Sequence, residues 1–91
     1  MLSYASIDRI EGDYIVCEVE QIPCTDARVD DFVCISCFMA DVPKGMFDYK
    51  GLPAKEGNIY KVLHNGETVD EVIGIDEAEK NRRIRVLNSM M

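Results

Sequence analysis

The stretch SIDRIEGDYIVCEVE, residues 6–20, places a Gly-Asp pair at positions 12–13 between two runs rich in β-branched residues. Glycine reaches positive φ without strain, so this pair favours the tight turn of a β-hairpin. After the turn, every second residue is apolar and small or β-branched (positions 15, 17 and 19), and this period of two indicates a strand. The stretch therefore predicts an antiparallel hairpin. The residues expected to face the core are Ile15, Cys17 and Val19.

A second hairpin is predicted in the later half of the chain. Residues 59–64 and 67–73 are both strand-like, and the dipeptide Asn65-Gly66 separates them. Asn-Gly between apolar runs is the strongest short-range signal for a two-stranded turn. These two segments are therefore expected to pair antiparallel.

The segments between the hairpins have weaker patterns. Residues 20–31 contain Pro23 and several polar turn formers, which indicates a loop. The apolar run FVCISCFM, residues 32–39, has the length of a strand. Residues 41–58 hold two prolines and several turn formers, so we expect a loop-rich link with one short strand around Met46–Tyr49.

The last segment, IDEAEKNRRIRVLNSMM, changes from the strand period to the helix period. Asp76 suits an N-cap, and Glu79 follows three residues later as in a capping box. Ile84, Leu87 and Met91 fall on one stripe, so a helix is expected over 76–89. The predicted fold is mostly β. It is one domain over residues 1–91, a small antiparallel barrel-like sheet of about five strands with a C-terminal α-helix.

The charge of the chain restricts its partners. Seventeen acidic and ten basic residues give a net charge of −7, which argues against general binding to nucleic-acid phosphates. Four basic residues nevertheless cluster between positions 80 and 85. Two interpretations stay open for this cluster, since it could recruit an acidic partner or pair with the acidic body of the protein. The residues expected to bind a partner are Arg82, Arg83 and Arg85.

Four cysteines raise the question of metal binding or redox chemistry. On a strand, residues three apart point to opposite faces and their Cα atoms lie about 10 Å apart. A Cys34-x-x-Cys37 pair on a strand therefore suits neither a disulfide nor one zinc ion. We expect Cys17, Cys34 and Cys37 to act as small buried apolar residues, with Cys24 in a loop. The alternative is a structural zinc module, whose ligands would be Cys17, Cys24, Cys34 and Cys37.

Other signs of chemistry are few. His64, the single histidine, precedes the Asn-Gly turn and is expected to be a solvated surface residue. No arrangement of nucleophile and base and no glycine-rich phosphate loop is evident, so we expect no enzyme activity and no cofactor. No targeting segment or apolar run of about 20 residues is seen, which favours a cytoplasmic protein without a membrane role.

Three stretches resemble one bacterial family. They are IDRIEGDYIVCEVE at 7–20, LPAKEGNIYKV at 52–62 and IDEAEKNRRIRVLNSMM at 75–91. Together they are similar to the opening, middle and closing motifs of domain of unknown function 3006. The resemblance implies a compact barrel-like sheet with a short C-terminal helix and supplies no activity. It also implies an accessory role, because members often occur beside or fused to metallo-β-lactamase-fold hydrolases.

Taken together, these features predict a non-catalytic accessory or protein-interaction module. It would dock another protein through an exposed sheet edge or through the basic helix face. Two alternatives remain, the zinc module already described and a small barrel that binds single-stranded nucleic acid by stacking bases on its aromatic residues.

Overall fold

One antiparallel sheet forms the framework of the protein. The computed structural model describes residues 1–24 and 36–89, and within these ranges the sheet has five strands in the order β3-β2-β1-β4-β5. The strands are β1 (Leu2–Glu11), β2 (Tyr14–Pro23), β3 (Cys37–Pro43), β4 (Ile59–His64) and β5 (Val69–Ile75). The helices are α1 (Lys44–Asp48) and α2 (Glu77–Ser89). The mostly β class with a C-terminal helix is thus confirmed.

The first hairpin forms as its sequence predicts. Gly12 has a φ of +61° in the turn, and Glu11 pairs with Tyr14 on either side of it. The three residues expected to face the core are almost fully buried, with exposed fractions of 0%, 2% and 0% for Ile15, Cys17 and Val19. β2 continues to Pro23, so the predicted loop at 20–31 begins later than expected.

The second hairpin has the predicted turn and a shifted second strand. β4 spans Ile59–His64 as predicted, whereas β5 begins at Val69 rather than at residue 67. The shift has a local cause, because Asn65 Oδ1 accepts the backbone N–H groups of Glu67 and Thr68 and holds both residues in the turn. Gly66 supplies the positive φ, +93°.

The middle of the chain differs from its prediction. The strand expected around Met46–Tyr49 is wrong, because residues 44–48 form the short helix α1. Of the strand predicted at 32–39, residues 37–39 belong to β3, which runs on to Pro43, and residues 32–35 lie outside the described residues. Residues 25–35 and the expectations made for them, including the position of Cys34, lie outside the described residues.

The core lies on one face of the sheet, called the inner face here. β1 is the central strand between β2 and β4, and β3 and β5 form the two edges. The sheet is not closed, so the term barrel-like applies only loosely. Helix α1 packs near both edges and inserts Phe47, whose ring meets Tyr60 edge to face at 5.2 Å. The buried cluster comprises Ala5, Ile7, Ile15, Cys17, Val19, Ala40, Val42, Phe47, Tyr60, Val62, Val69 and Val72.

Helix α2 lies against the opposite face, called the outer face here. The N–H of Glu79 donates to Asp76 Oδ1 at 2.9 Å, which confirms Asp76 as the N-cap. The helix observed at Glu77–Ser89 agrees with the predicted range. Within the described residues, no helix is long and apolar enough to span a membrane.

Candidate functional site

Arg83 connects helix α2 to the outer face of the sheet. Its Nη1 and Nη2 atoms donate to the two carboxylate oxygens of Glu20 at 3.0 and 2.9 Å. Its guanidinium also lies over the ring of Tyr4, 5.2 Å from the ring centroid. A bidentate pair with added ring stacking is a geometry that arginine favours in partly buried sites. Arg83 therefore pairs with the body of the protein, one of the two interpretations that its sequence left open.

Glu79 is a buried carboxylate held by two arginines. It is only 7% exposed, Arg82 Nη2 donates to it at 3.0 Å, and Arg83 Nε donates to it at 3.3 Å. Burial alone would raise the pKa of Glu79, but the hydrogen bonds and charges of both arginines outweigh burial and leave the pKa below its ordinary value. Glu79 is therefore ionised, and it does not make the return contact of a capping box.

The N-terminal turn of α2 is fixed by further polar contacts. The Tyr4 hydroxyl donates to Asp76 Oδ2 at 3.3 Å, and Lys61 Nζ lies 3.6 Å from the same atom. The N–H of Glu79 is the main cause that lowers the pKa of Asp76. Burial and the charge of Asp76 raise the pKa of Tyr4 to about 12, so the phenol stays protonated and remains a donor. Polar contacts thus hold this helix to the sheet.

The same arrangement leaves apolar side chains of α2 in solvent. Ile84 is 45% exposed and Leu87 is 59% exposed. At about 100° per residue, Ile84 lies about 100° around the helix from Arg83, whereas Leu87, one turn after Arg83, lies about 40° from it and about 80° from Glu79. A helix on a globular protein usually does the reverse, with its apolar stripe on the core and its charges outward. Ile84 and Leu87 form what is called here the outward stripe.

The three arginines predicted to bind a partner are divided by the fold. Arg82 and Arg83 point to Glu79, and Arg83 also points to Glu20. Arg85 is exposed, and it has no ion pair within the part of the chain that the structure describes. It is therefore the arginine of the three that is available beside the outward stripe. Sequence alone could not separate them, because the partner Glu20 lies 63 positions away from Arg83.

The cysteines occupy different environments. Cys17 is buried on the inner face, where burial raises the pKa of its thiol to about 11, whereas Cys24 is half-buried at the end of β2. Cys37 is exposed, so its predicted burial is wrong. It pairs with Glu20, and Cys17 pairs with Ala40, three residues further along β3. Cys17 and Cys37 therefore point to opposite faces, and one zinc ion does not reach both.

A small polar depression adjoins Arg83. Its volume is about 170 Å³, and it lies between α2 and the outer face near Ser6, Glu18 and Cys37. This is well below the roughly 300 Å³ at which pockets for organic ligands begin. Among the described residues, no group of three or more His, Cys, Asp or Glu side chains is arranged to hold a metal ion.

His64 is buried, which corrects its prediction as a solvated residue. It is 3% exposed, its Nδ1 accepts the N–H of Gly66 at 3.0 Å, and its Nε2 lies 3.0 Å from Ser3 Oγ. The accepted hydrogen bond places the ring proton on Nε2, so the imidazole is neutral. The ring also meets Phe38 at 5.1 Å. The prediction of exposure failed because β1 pairs with β4 and covers His64, although His64 is next to a turn in the sequence.

The stability of the protein is expected to depend on pH through His64. Burial is the main cause that lowers its pKa, and the charge of the Met1 ammonium lowers it further. The unfolded chain therefore binds the proton at a higher pH than the folded chain. The contribution of the neutral His64 to the free energy of unfolding is complete above about pH 7, and it is lost as the pH falls through about 6.5. Urea unfolding from about pH 7.5 to about pH 5.5 should show this loss. The variant His64→Gln should lack it, and equal pH slopes for both proteins would contradict the assignment.

The comparisons with known proteins add no relative. No protein-family model matches the chain, and neither a curated protein nor a solved structure matches it. The resemblance to domain of unknown function 3006 therefore stays a prediction. The function is argued below from the geometry of the outer face and helix α2.

Proposed function

We propose that this protein is a non-catalytic accessory module that binds another protein through the outward side of helix α2. One observation carries the proposal, the inverted orientation of this helix. Its charged residues hold the sheet, and the outward stripe of Ile84 and Leu87 is left in solvent at 45% and 59% exposure. Burial of such side chains against a partner would contribute about 1.5–3 kcal/mol each if it were complete.

The position of Arg85 indicates the chemistry of the partner. Arg85 is the next residue after Ile84 and is exposed, so it adds a positive charge to the edge of the apolar stripe. Interfaces commonly combine an apolar centre with a charged rim. We therefore propose a partner surface with an apolar patch bordered by carboxylates. The resemblance to domain of unknown function 3006 supports a metallo-β-lactamase-fold hydrolase as the class of partner.

The test is binding of the full-length chain to the metallo-β-lactamase-fold hydrolase encoded nearest to its gene. The double variant Ile84→Gln/Leu87→Gln keeps good helix formers at both positions but removes the apolar side chains. It should weaken binding by about ten-fold or more, measured by biolayer interferometry. Ile10→Gln is the matched control, since Ile10 is 50% exposed at the far end of β1 and away from α2. It should bind as the wild type does.

Three results would contradict the proposal. Unchanged affinity of the double variant would exclude the outward stripe as the binding surface. About one zinc ion per purified chain, with unfolding by a chelator, would favour the zinc module instead. Affinity for single-stranded DNA that falls steeply with salt would favour the nucleic-acid-binding alternative.

A further inference from the structure

The edge strand β5 has an open side beside helix α1. β5 pairs with β4 alone in the sheet. No backbone hydrogen bond among the described residues reaches its other edge from α1 or from any loop. Alternate residues of an edge strand direct their N–H and C=O groups away from the sheet, and such groups can bind an extended peptide.

A groove of about 500 Å³ separates this edge from α1. Met46 and Tyr49 line it from the helix side, and Asp70, Glu71 and Val72 line it from β5. Tyr49 is 87% exposed, so a large aromatic surface stands beside the unpaired strand edge. This volume lies within the range of roughly 300–1,000 Å³ that small ligands occupy, and it accommodates an aliphatic side chain with its neighbouring backbone.

The charge of the β5 side is acidic. Glu71 is paired at 3.0 Å with Lys50, two residues after the end of α1, and both side chains are substantially exposed, so this ion pair is weak and easily exchanged. Asp70 has no ion pair within the described ranges 1–24 and 36–89. A basic side chain on a ligand can therefore pair with Asp70 directly and can replace Lys50 at Glu71.

The shape of β5 limits the ligand to a short segment. Register shifts interrupt the pairing of β4 with β5 on both sides of the pairs Val62–Val72 and Leu63–Glu71. Such irregularities bend a strand and end regular extension of the sheet. Between the two shifts only Glu71 and Val72 are regularly paired, and both line the groove, whereas Asp70 is the extra residue of one shift. A long flat interface, as a second copy of this acidic chain would need, does not fit so short a segment.

We infer that the groove between α1 and β5 binds a short extended peptide that carries alternating basic and apolar residues. The peptide adds backbone hydrogen bonds along Asp70–Val72, places an apolar side chain against Met46 and Tyr49, and places a basic one at Asp70 and Glu71. The site shares no residue with α2, so it goes beyond the docking function proposed above and is independent of it.

The inference is tested by nuclear magnetic resonance with isotope-labelled full-length protein. The probe is a capped peptide of about six residues that alternates lysine and valine. Its addition up to about 1 mM should shift the amide signals of residues 46–50 and 70–72, with weaker changes elsewhere. The same peptide with glutamate in place of lysine should bind at least about ten-fold more weakly. Absence of shifts in these residues, or equal affinity for both peptides, would overturn the inference.

Matched variants locate the effect in the groove. Asp70→Lys/Glu71→Lys changes two exposed residues, so the fold should persist while affinity for the lysine peptide falls about five-fold or more. Glu56→Lys/Glu67→Lys is the control, since it reverses the same number of charges at two exposed residues that do not line the groove, and it should retain more of the affinity. The double variant Ile84→Gln/Leu87→Gln should bind the peptide normally, which separates this test from that of the proposed function. Equal losses in the groove variant and the control would show a nonspecific charge effect and overturn the inference.

Discussion

Replacement of Phe47 by alanine is expected to lower the free energy of unfolding by about 3–5 kcal/mol. Phe47 is the buried residue of α1, and only 1% of it is exposed. Its ring packs edge to face on Tyr60, whose hydroxyl donates to the Pro53 carbonyl and accepts the N–H of Lys55 at 3.1 Å. Loss of the ring therefore leaves a cavity and loosens the link that follows α1. Domains of this size are stable by about 5–15 kcal/mol, so the variant should be close to unfolding.

The measurement is urea denaturation followed by far-ultraviolet circular dichroism. Tyr49→Ala is the matched control, because it removes an aromatic ring of similar size just after the same helix. Tyr49 is 87% exposed, and such surface changes usually stay within about 0.5 kcal/mol. If the two variants lost equal stability, or if Phe47→Ala lost less than about 1 kcal/mol, the position of α1 over the core would be wrong.

The two hairpins could be predicted from sequence because their signals are local. In each one a glycine supplies the positive φ of the turn, and the alternation of apolar residues marks the buried face. The cap of α2 is equally local, since Asp76 and Glu79 are three residues apart. What these signals do not contain is the pairing of β1 with β4, which joins residues about sixty positions apart, such as Tyr4 and Lys61.

The errors follow from that missing long-range information. Helix α1 is only five residues long, and so short a helix depends on tertiary contacts rather than on its own propensity. Its position is set by Phe47 in the core, which no local pattern reveals. His64 is buried for the same reason, because the N-terminal end of β1 covers it. The turn residues that follow His64 predicted an exposed side chain, whereas the neighbouring strand β1 buries it.

The candidate site was predictable in composition and not in orientation. The cluster of basic residues and the helical stripe that includes Ile84 and Leu87 are both visible in the sequence. Whether the arginines face solvent depends on where Glu20 and Tyr4 lie, and these residues belong to the first hairpin. The acidic composition of the rest of the chain made it reasonable that an arginine of α2 pairs with a carboxylate of the sheet. Only the position of α2 across the outer face shows that this arginine is Arg83.

Charge reversal of Arg83 is expected to destabilise the protein by about 3–5 kcal/mol. Arg83→Glu would place a new carboxylate beside Glu20 and Glu79, both of which are mostly buried. Each would lose the guanidinium of Arg83 and gain a like charge, and taking an opposite charge away from a buried carboxylate is costly. Helix α2 should then detach from the outer face, which circular dichroism and amide hydrogen exchange of residues 77–89 would detect.

Arg85→Glu is the control that separates folding from binding. It makes the same charge change two residues away, at an exposed position without an ion pair in the described part of the chain. Its stability should stay within about 0.5 kcal/mol of the wild type, while its affinity for the proposed partner, a metallo-β-lactamase-fold hydrolase, should fall. If Arg83→Glu were as stable as Arg85→Glu, the pairing of Arg83 with Glu20 and Glu79 would not hold the helix. The inverted orientation of α2, on which the proposed function depends, would then lose its physical cause.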